Sequence, residues 1–526
     1  MKNKIKRFLA LVISLSLVLT MLTGCGGGAD PSQADNGNSG GGVKVSDGPR
    51  DDINLQLYVE PVTLDPQISN SALDMGIMYQ IFDNLFEINN GDYNDIIPAL
   101  CERYDISDDA KEYTFYIRQG VKWHNGEELT ADDVEFSINR MMTSPATSAR
   151  MDFVDSVEKI DDYTVKCYLN LPSNRLPALL STAAMSIVNK KAVEEFGDGT
   201  EQMVIGTGAY KLDSWTPGQG LVLKAFDEGW RGDPPLKKIN YTIITEATAA
   251  RIAFQGGELD IYNANGMHDY ELFSKDPNLN VQPFVQATAQ SLVFNSSRSI
   301  MSDIRFREAV AHAIDKEALN ASATDNLYKV TDSQIPEGCQ GYTEDVPKYE
   351  YDPEKSKELL KEMGYNGEPV KLLYTTAGIS LSWATTVQAF LSSVGINVEM
   401  EGQDYANVVQ RVANRDYDMC LFEFGMNFPN PVSSFYALFH SEGYYNVYCN
   451  YDKDVDAKII KAYSSADEAE QTKLLEELNI EALEKCLYVP SYNVAGYTFA
   501  PKTLHRDSDP EPAFNWVKIC YYSWEQ

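Results

Sequence analysis

The segment Tyr113–Arg140, YTFYIRQGVKWHNGEELTADDVEFSINR, carries the clearest local structural signals in the chain. Apolar and polar residues alternate over its first six positions, which is the period of a half-buried strand. The pair Asn125-Gly126 indicates a turn, because both residue types accept the positive φ that tight turns need. Thr130 suits a helix N-cap, and Asp133 follows three residues later as in a capping box. The segment therefore predicts a strand, a hairpin and a capped helix.

The same segment resembles the signature of a known family, the family 5 extracellular solute-binding proteins, which include the peptide- and nickel-type receptors of ABC importers. The residues in register with the family pattern are Phe115, Arg118, Gly120, Val121, His124, Gly126, Thr130, Ala131, Asp133, Val134 and Ser137. Most of these residue types form turns, helix caps and core, so the resemblance identifies the family and says little about the ligand. His124 is accordingly expected to be a hydrogen-bonded turn histidine.

The resemblance continues along residues 53–526. Further segments similar to the family are Thr63–Pro66, Ile81–Leu85, Gly206–Leu212, Trp230–Gly232 and Glu258–Ile261. This resemblance implies an α/β fold, built as a two-lobed periplasmic-binding-protein-like clamp (type II, cluster C) with an extra inserted domain. It also implies that a ligand is buried between the lobes when they close about a hinge.

The predicted division of the chain follows from the same resemblance. The first lobe is expected to combine a core domain, formed by residues 51–89, 205–293 and 490–526, with a domain inserted at 90–204, and the second lobe to span 294–489. Two strands, near Val293–Asn295 and Val489–Asn493, are expected to cross between the lobes and to act as the hinge.

Helix and strand signals alternate in the predicted second lobe, which is typical of βαβ units. Asp303, Asp352 and Ser382 are predicted helix N-caps there. In the predicted first lobe, the patterns favour a strand at Asn54–Val59 and a helix through Ile77–Phe86.

The first fifty residues are expected to export and tether the protein. Residues 1–24 have a basic start and an apolar stretch at Phe8–Leu22, as in a signal peptide. The end of that stretch, Leu22–Cys25, resembles a bacterial lipobox, whose cysteine is diacylated, and two acyl chains suffice for stable anchoring. Residues 25–50 are mostly Gly, Ser, Asn and Asp, so a lipidated Cys25 and a flexible tether are predicted. The expected location is extracytoplasmic, at the cell membrane.

Composition limits the possible partners. The chain has 526 residues, which favours two or three domains, and a formal net charge of −33. Such a charge disfavours nucleic acid and anionic lipid surfaces as partners. The expected partners are a small solute, an ABC permease with its ATPase, and the membrane through the lipid anchor, and the protein is expected to be a monomer.

The eight cysteines and five histidines show no metal-ligand spacing. We therefore predict no metal and no cofactor. With Cys25 assigned to lipid, an odd number of cysteines remains, so they cannot all pair within the chain. Mostly reduced, buried thiols are expected, with at most one disulfide.

By resemblance, the ligand chemistry is concentrated in Tyr417–Pro431. The candidate ligand-binding residues are Asn427, Phe424, Tyr405, Glu423, Asn70 and Ser71. Peptide receptors of this family commonly place Asp at the position aligned with Asn427, where its carboxylate pairs with the peptide ammonium. Asn lacks that charge, and Glu423 is the candidate replacement. Phe424 and Tyr405 fall at aromatic pocket positions, although plain core packing is an equal alternative for both.

Three functional classes compete. A binding protein for an ABC importer is favoured, since no nucleophile–base set for an enzyme is found in the sequence. A hydrolase and a sensory or adhesive lipoprotein are the alternatives. Within the binding class, an oligopeptide or dipeptide is the first expectation. An oligosaccharide or another small solute is the second, because Tyr405, Phe424 and the Tyr444-Tyr445-Tyr448 cluster could stack on sugar faces.

Overall fold

A computed structural model describes residues 43–44, 50–69, 71–89, 92–264, 266–376, 379–425, 431–443, 445–447, 452–506 and 518–525. Phe424 is described by its backbone alone. The predicted signal peptide, Cys25 and nearly all of the predicted tether lie outside the described residues, as do the candidate ligand residues Asn70 and Asn427.

The strands are numbered in chain order. They are β1 Asp52–Leu57, β2 Phe86–Asn89, β3 Asp92–Pro98, β4 Cys101–Ile106, β5 Glu112–Ile117, β6 Val154–Asp161, β7 Thr164–Leu169, β8 Tyr210–Thr216, β9 Gly220–Ala225, β10 Lys238–Ile243, β11 Tyr262–Asn263, β12 Leu279–Phe294, β13 Lys329–Val330, β14 Val370–Thr375, β15 Val398–Gln403, β16 Met419–Gly425, β17 Tyr488–Pro501, β18 Leu504–Arg506 and β19 Tyr522–Trp524.

The helices are numbered in the same way. They are α1 Ala72–Ile81, α2 Ala131–Thr143, α3 Leu176–Leu179, α4 Lys190–Phe196, α5 Ala247–Gly256, α6 Met267–Phe273, α7 Ile304–Ala313, α8 Lys316–Thr324, α9 Pro353–Met363, α10 Ser380–Ser393, α11 Tyr405–Ala413, α12 Val432–Phe439, α13 Lys453–Ser464 and α14 Glu468–Glu484. In the part of the chain that the structure describes, no helix is both long and apolar enough to span a bilayer.

The strands form three larger sheets. One has the order β1-β10-β9-β8, with β1 and β10 parallel, and a second has the order β4-β5-β7-β6. The third has the order β11-β17-β12-β16-β14-β15, with β13 also paired to β17. In this third sheet β14 runs parallel to both β15 and β16. Helix α10 connects β14 to its neighbour β15, and α11 connects β15 to β16 on the other side of β14, as in βαβ units. The predicted domain boundaries stay a prediction.

The signature segment folds as predicted. In β5 every second residue, namely Tyr113, Phe115 and Ile117, is buried. Gly126 follows with a φ of 87°. The capping box is present, since the Thr130 backbone N–H donates to Asp133 Oδ2 at 3.1 Å and the reciprocal bond also forms. The local signals therefore sufficed to predict strand, turn and helix.

His124 is a hydrogen-bonded turn histidine, as expected. The Gly206 N–H donates to its Nδ1 at 3.2 Å, so the neutral ring carries its proton on Nε2, which lies 2.9 Å from the Gly208 carbonyl oxygen. Burial lowers the pKa of His124 to about 4. The neutral His124 ring thus links the turn to the Gly206–Gly208 loop through these two hydrogen bonds.

Helix-cap predictions in the second half are mostly correct. Asp303 accepts the Arg305 N–H, and Asp352 accepts the N–H groups of the first turn of α9, which begins with Pro353. The prediction for Ser382 is wrong, because α10 begins two residues earlier, at Ser380, with Ile379 as N-cap.

Two predicted elements in the first half of the chain have different bounds in the structure. The first strand is Asp52–Leu57, two residues earlier than predicted. The helix predicted through Ile77–Phe86 is α1, which begins at Ala72 and ends at Ile81. Phe82 is already extended, with φ −109° and ψ 157°. The segment 82–86 is buried as extended chain and not as helix. It contains Asp83, whose carboxylate is held by a buried ionic cluster.

That cluster forms around Asp83, which is fully buried. Its donors are Thr207, Trp230, Arg231 and Lys518, at 3.1, 2.8, 2.9 and 2.7 Å from its oxygens. Burial alone would raise the pKa of Asp83, but the cations of Arg231 and Lys518 outweigh it and hold this pKa below the usual range. We call these five residues the Asp83 cluster. It fastens four segments that are distant in sequence.

A second ionic contact joins the signature helix to the loop before α1. Arg140 of α2 donates to both carboxylate oxygens of Asp65, at 2.9 and 2.6 Å, and Asp65 is fully buried. A bidentate arginine–carboxylate pair fixes orientation as well as distance. The signature segment therefore holds the loop that leads to the candidate residues Asn70 and Ser71.

The two longest strands, β12 and β17, pair antiparallel along most of their length. The predicted hinge segments fall within this pair, since Leu292 opposes Val489. The register is interrupted between Val285 and Ala289 and again between Gln290 and Ser291. Such interruptions bend strands and redirect side chains. The hinge role of this pair stays a prediction.

The six cysteines among the described residues are free thiols, and all but Cys520 are buried. This agrees with the expectation of mostly reduced, buried thiols. Burial raises the pKa of the Cys101 and Cys486 thiols to about 12, which keeps both protonated at neutral pH.

Candidate functional site

The candidate site is centred on Glu423 in β16. The four residues before it in the strand are buried, and Glu423 is the first exposed one. Its Oε2 accepts a hydrogen bond from Gln290 Nε2 at 2.5 Å, and Gln290 of β12 is its direct cross-strand partner. Burial nevertheless raises the pKa of Glu423. A side chain that is exposed to solvent and yet closely surrounded by protein lies in a concave part of the surface.

Glu423, Gln290 and Tyr492 form a row across three neighbouring strands, which we call the Glu423 row. Gln290 opposes Glu423 on one side and Tyr492 of β17 on the other. Directly opposed residues project from the same face of a sheet, so the three side chains are neighbours. The register shift after Gln290 leaves Ser491 without an opposing residue, immediately beside the row.

Several polar atoms in and next to this row are buried without a hydrogen-bond partner. Among the described residues they are Gln290 Oε1, Tyr492 OH, Ser491 Oγ, Asn493 Nδ2 and Trp383 Nε1. Gln290 is 3% exposed and Tyr492 is fully buried. Leaving such a group unpaired costs about 1–3 kcal/mol, so native proteins rarely collect them in one place without a reason. Their concentration fits a place where a polar ligand supplies the missing partners.

Four tyrosines lie near enough to the Glu423 carboxylate for its negative charge to act on them. Tyr58, Tyr328, Tyr405 and Tyr492 all have a raised pKa, first through burial and also through the negative charge of Glu423; for Tyr328 it is raised to about 12. Tyr58 is 53% exposed and Tyr405 is 66% exposed. Like Glu423, these two side chains are exposed to solvent, and burial by neighbouring protein still raises the pKa of each. Tyr58 directly follows β1 in the predicted first lobe, so the charge of Glu423 acts on tyrosines of both predicted lobes.

The aromatic side chains behind the row are packed together. The ring of Tyr492 lies 5.2 Å from that of Trp383 in α10 and 5.3 Å from that of Tyr328. The first pair is tilted and the second is edge-to-face, and ring contacts of this kind hold aromatic side chains in place. Tyr405 is positioned differently, as the first residue of α11, where the Asp404 side chain caps the helix by accepting the Asn407 N–H at 3.0 Å.

The structure brings together two of the predicted site residues, Glu423 and Tyr405. Ser71 is a helix cap: its Oγ accepts the Asp74 N–H at 3.3 Å, and Asp74 in turn interacts electrostatically with Tyr58. The backbone of Phe424 pairs with Ala289. The roles of these residues in ligand binding stay predictions.

Sequence reasoning missed Gln290, Tyr492, Tyr58, Tyr328 and Trp383. A signal was present for one of them, Gln290, because Gln290 and Ser291 interrupt an otherwise apolar strand end, Ala289–Phe294. When the sequence predicts a buried strand, polar side chains within it need hydrogen-bond partners. Where no local partner is available, they indicate a candidate ligand-binding site.

A further contact links Arg175, at the start of α3, and the residues just before β6 to helices α12 and α13. Arg175 donates to Ser433 Oγ at 2.9 Å, and its guanidinium lies 3.7 Å from the ring centre of Tyr463 and 4.4 Å from that of Phe153. The Tyr463 hydroxyl also donates to the Asp152 carboxylate. These residues come from the predicted inserted domain and the predicted second lobe, so the contact joins the two.

Among the residues that the structure describes, no group of three or more His, Cys, Asp or Glu side chains is arranged to hold a metal ion. Glu423 is the acid at the candidate site, and one carboxylate with amide and hydroxyl neighbours is a weak set of ligands for a resident metal. The site's chemistry is that of hydrogen bonding and charge recognition.

Comparison with known proteins places this site in context. Residues 95–446 match the family described as "Bacterial extracellular solute-binding proteins, family 5 Middle". The dipeptide-binding protein of Escherichia coli (strain K12) is 25% identical over 430 residues, which cover 76% of this chain and 78% of that protein. The oligopeptide-binding protein AppA of Bacillus subtilis (strain 168) is 28% identical over 447 residues, covering 77% and 81%.

A solved structure gives the same fold. The ABC transporter substrate-binding protein CtaP from Listeria monocytogenes aligns with a TM-score of 0.80 and 23% sequence identity, covering 91% of this chain and 100% of that one. This likeness confirms the predicted two-lobed α/β fold.

Proposed function

Because this chain belongs to the bacterial extracellular solute-binding proteins of family 5, we propose that it captures a solute outside the cytoplasm and delivers it to an ABC importer. The importer's permease would receive the solute, and its ATPase would supply the energy. Binding and release are then the chain's whole task, and we propose no catalytic step. The expected working form is a monomer.

We propose an oligopeptide or dipeptide as the solute. The names of two relatives, a dipeptide-binding and an oligopeptide-binding protein, favour it. The observation that carries the proposal is the Glu423 row, where buried polar atoms without partners lie beside an exposed carboxylate among tyrosines. A peptide offers backbone donors and acceptors, a terminal ammonium and apolar side chains, so it can satisfy both the polar atoms and the rings.

Six residues are proposed to contact the solute: Asn427, Phe424, Tyr405, Glu423, Asn70 and Ser71. Glu423 and Tyr405 have the strongest support, because both are exposed to solvent yet enclosed. Lobe closure would take place about β12 and β17, with residues 51–89, 205–293 and 490–526 plus the insertion 90–204 on one side and 294–489 on the other.

We also propose that a diacylated Cys25 anchors the protein to the outer face of the cell membrane, with residues 25–50 as a tether after removal of 1–24. The lipobox-like sequence Leu22–Cys25 supports this proposal. Mass spectrometry of the membrane fraction should find the mature N-terminus at Cys25 carrying two acyl chains. An unmodified Cys25 would contradict the anchor and leave the binding function untouched.

Thermal unfolding with solute libraries tests the function. A ligand at about 100 times its dissociation constant stabilises the folded state by roughly 2.7 kcal/mol, which is readily seen as a raised melting temperature. Peptides of two to nine residues should raise it and should be recovered intact afterwards. Cleavage of the peptides would instead indicate a hydrolase, and no shift with any peptide would contradict the proposed ligand.

An oligosaccharide is the second candidate solute, and the exposed ring of Tyr405 favours it, since sugar faces stack on such rings. The same assay with neutral oligosaccharides distinguishes the two. A sensory or adhesive role would leave solute binding intact but abolish the need for a permease, so uptake of labelled solute by cells with and without the protein separates it from import.

A further inference from the structure

We propose that Arg175 is the centre of a clasp that stabilises the closed arrangement of the two predicted lobes, and that it thereby strengthens the binding of every solute without contacting any of them. The inference rests on the proposed solute-binding function and adds to it a positioning residue outside the candidate site. We call Asp152, Phe153, Arg175, Ser433 and Tyr463 the Arg175 clasp.

The clasp encloses the guanidinium of Arg175 between two parts of the chain that are far apart in sequence. Arg175 is 4% exposed. Its Cζ lies 4.4 Å from the ring centre of Phe153 and 3.7 Å from that of Tyr463. Its Nη1 donates to Ser433 Oγ at 2.9 Å, and the Tyr463 hydroxyl donates in the other direction, to the Asp152 carboxylate. Both hydrogen bonds therefore depend on how the two parts are placed relative to each other.

The two sides of the clasp are joined by side chains and not by strand pairing. Among the described residues, the strands of the range 90–204 and those of the range 294–489 belong to different sheets. The chain is predicted to cross between the lobes through β12 and β17, so rotation about this pair would carry α12 and α13 away from Arg175. Phe153 and Phe435 lie in one buried apolar cluster, so the same rotation would also expose apolar surface.

The charge of Arg175 is met differently from that of other enclosed arginines. Arg140 and Arg231 each pair with a fully buried carboxylate, at 2.6 and 2.9 Å. Arg175 makes no ion pair with any described residue, and its Nη2 is buried without a hydrogen-bond partner among them. Aromatic faces attract a desolvated cation strongly, whereas an unpartnered N–H is costly. These opposing contributions keep the clasp weak enough to open, as capture and release of a solute require.

Such a clasp has a defined effect on binding. The apparent dissociation constant of a receptor equals that of its closed form divided by the fraction of molecules that are closed. A contact made in the closed form raises this fraction before any solute arrives. Loss of the clasp should therefore weaken the binding of different solutes by one common factor, whereas loss of a residue that contacts the solute affects different solutes unequally.

The test uses the mature protein and the variants Arg175→Ala and Ser433→Ala. Arg103→Ala is the matched control, because Arg103 also lies over a ring, that of Tyr116 at 3.3 Å, but is exposed and makes this contact between neighbouring strands of one sheet. Small-angle X-ray scattering measures the radius of gyration without ligand and with saturating peptide. Calorimetry measures the affinities for three peptides of different sequence that the wild type retains from a tryptic digest of casein.

Without ligand, Arg175→Ala should have a larger radius of gyration than the wild type and Arg103→Ala, and saturating peptide should remove the difference. Its affinities for the three peptides should fall by one common factor of about three to ten. Ser433→Ala removes one hydrogen bond and should change both quantities in the same direction but less, which keeps the test decisive if Arg175→Ala does not fold. Unchanged scattering of the variants, or losses of affinity that differ between the peptides, would overturn the clasp and leave the receptor function standing.

The scattering measurement also separates failure of this inference from failure of the peptide proposal, because it needs no ligand. If none of the casein peptides binds, a larger radius of gyration of Arg175→Ala or Ser433→Ala would still support the clasp, and the proposed peptide ligand alone would be refuted. A radius equal to that of the wild type would refute the clasp whether or not peptides bind.

Discussion

The Asp83 cluster and the Glu423 row both place an acid in a polar setting enclosed by protein, and they differ in how the polar atoms are matched. Asp83 accepts from four side chains, two of them cations. Glu423 accepts from one neutral amide, and its neighbours Gln290 and Tyr492 keep buried atoms without partners among the described residues. The difference teaches that the acid which joins four segments of the fold is matched by cations, whereas the acid of the candidate site is not. The unmatched polar atoms grouped beside Glu423 are therefore where we expect a ligand to supply partners.

The largest expected effect is loss of the fully matched acid. Asp83→Ala should lower the free energy of unfolding by about 3–5 kcal/mol, because it leaves Arg231 and Lys518 buried without their carboxylate. Urea unfolding measures this. Asp213→Ala, which removes one partner of the exposed pair with Lys224, is the control and should change stability by at most about 1 kcal/mol. Equal losses of unfolding free energy in the two variants would show that the Asp83 cluster does not stabilise the fold more than an exposed ion pair does.

Replacing either of two glycines by alanine tests how tightly the backbone next to the Asp83 cluster is packed. A Cβ at Gly206 would lie 1.8 Å from the Ile81 carbonyl oxygen, so Gly206→Ala must displace backbone beside His124 and the Asp83 cluster. At Gly126 a Cβ meets nothing within 4 Å, and only its φ of 87° is unfavourable.

Gly206→Ala should therefore prevent folding or cost several times more than Gly126→Ala, for which about 1 kcal/mol is expected. Thermal unfolding of the two variants, without ligand, gives the ratio. Similar melting temperatures would show that the Gly206–Gly208 loop is not held as tightly as its contacts indicate.

Low pH should weaken the contact that His124 makes between the turn and the Gly206–Gly208 loop. Burial lowers the pKa of His124 to about 4, whereas an unfolded chain has the ordinary value of about 6.5. Between these values the unfolded chain takes up a proton that the folded chain does not, so stability falls as the pH falls from about 6.5 to 4. The loss is about 1.4 kcal/mol for each pH unit.

His124→Gln keeps a donor and an acceptor but does not titrate. The variant should lose less stability than the wild type when unfolding is compared at pH 7 and pH 5, by roughly 1–2 kcal/mol. Parallel pH profiles of the two proteins would show that His124 is already able to take up a proton in the folded state.

What could be predicted from the sequence depends on how far apart the interacting residues lie. The capping box of Thr130 and Asp133 and the cap of Asp303 involve neighbours in sequence, and the structure contains them as predicted. The helix through Ile77–Phe86 was misplaced because its apolar run suits both a helix and buried extended chain. Its true start depends on Ser71 and its end on the distant partners of Asp83.

The candidate site was predicted only in part for the same reason. Glu423 and Tyr405 lie in or near the segment that carries the family's ligand chemistry. Gln290 meets Glu423 across 133 residues of sequence, and Tyr492 joins them through the register of β17. Strand pairing over such distances leaves no local trace, and whether a buried amide finds a partner is decided only by the folded structure.

The smallest expected change in stability belongs to the central residue of the candidate site, and it provides the most direct test. Thermal unfolding of Glu423→Gln without ligand should occur within about 0.5 kcal/mol of the wild type, since this carboxylate makes no ion pair with any described residue that the variant would break. With the peptide that binds best to the wild type, the variant should show little of the ligand-induced stabilisation. A loss of stability close to that of Asp83→Ala, with the ligand-induced stabilisation retained, would show that Glu423 holds the fold and is not a ligand-binding residue.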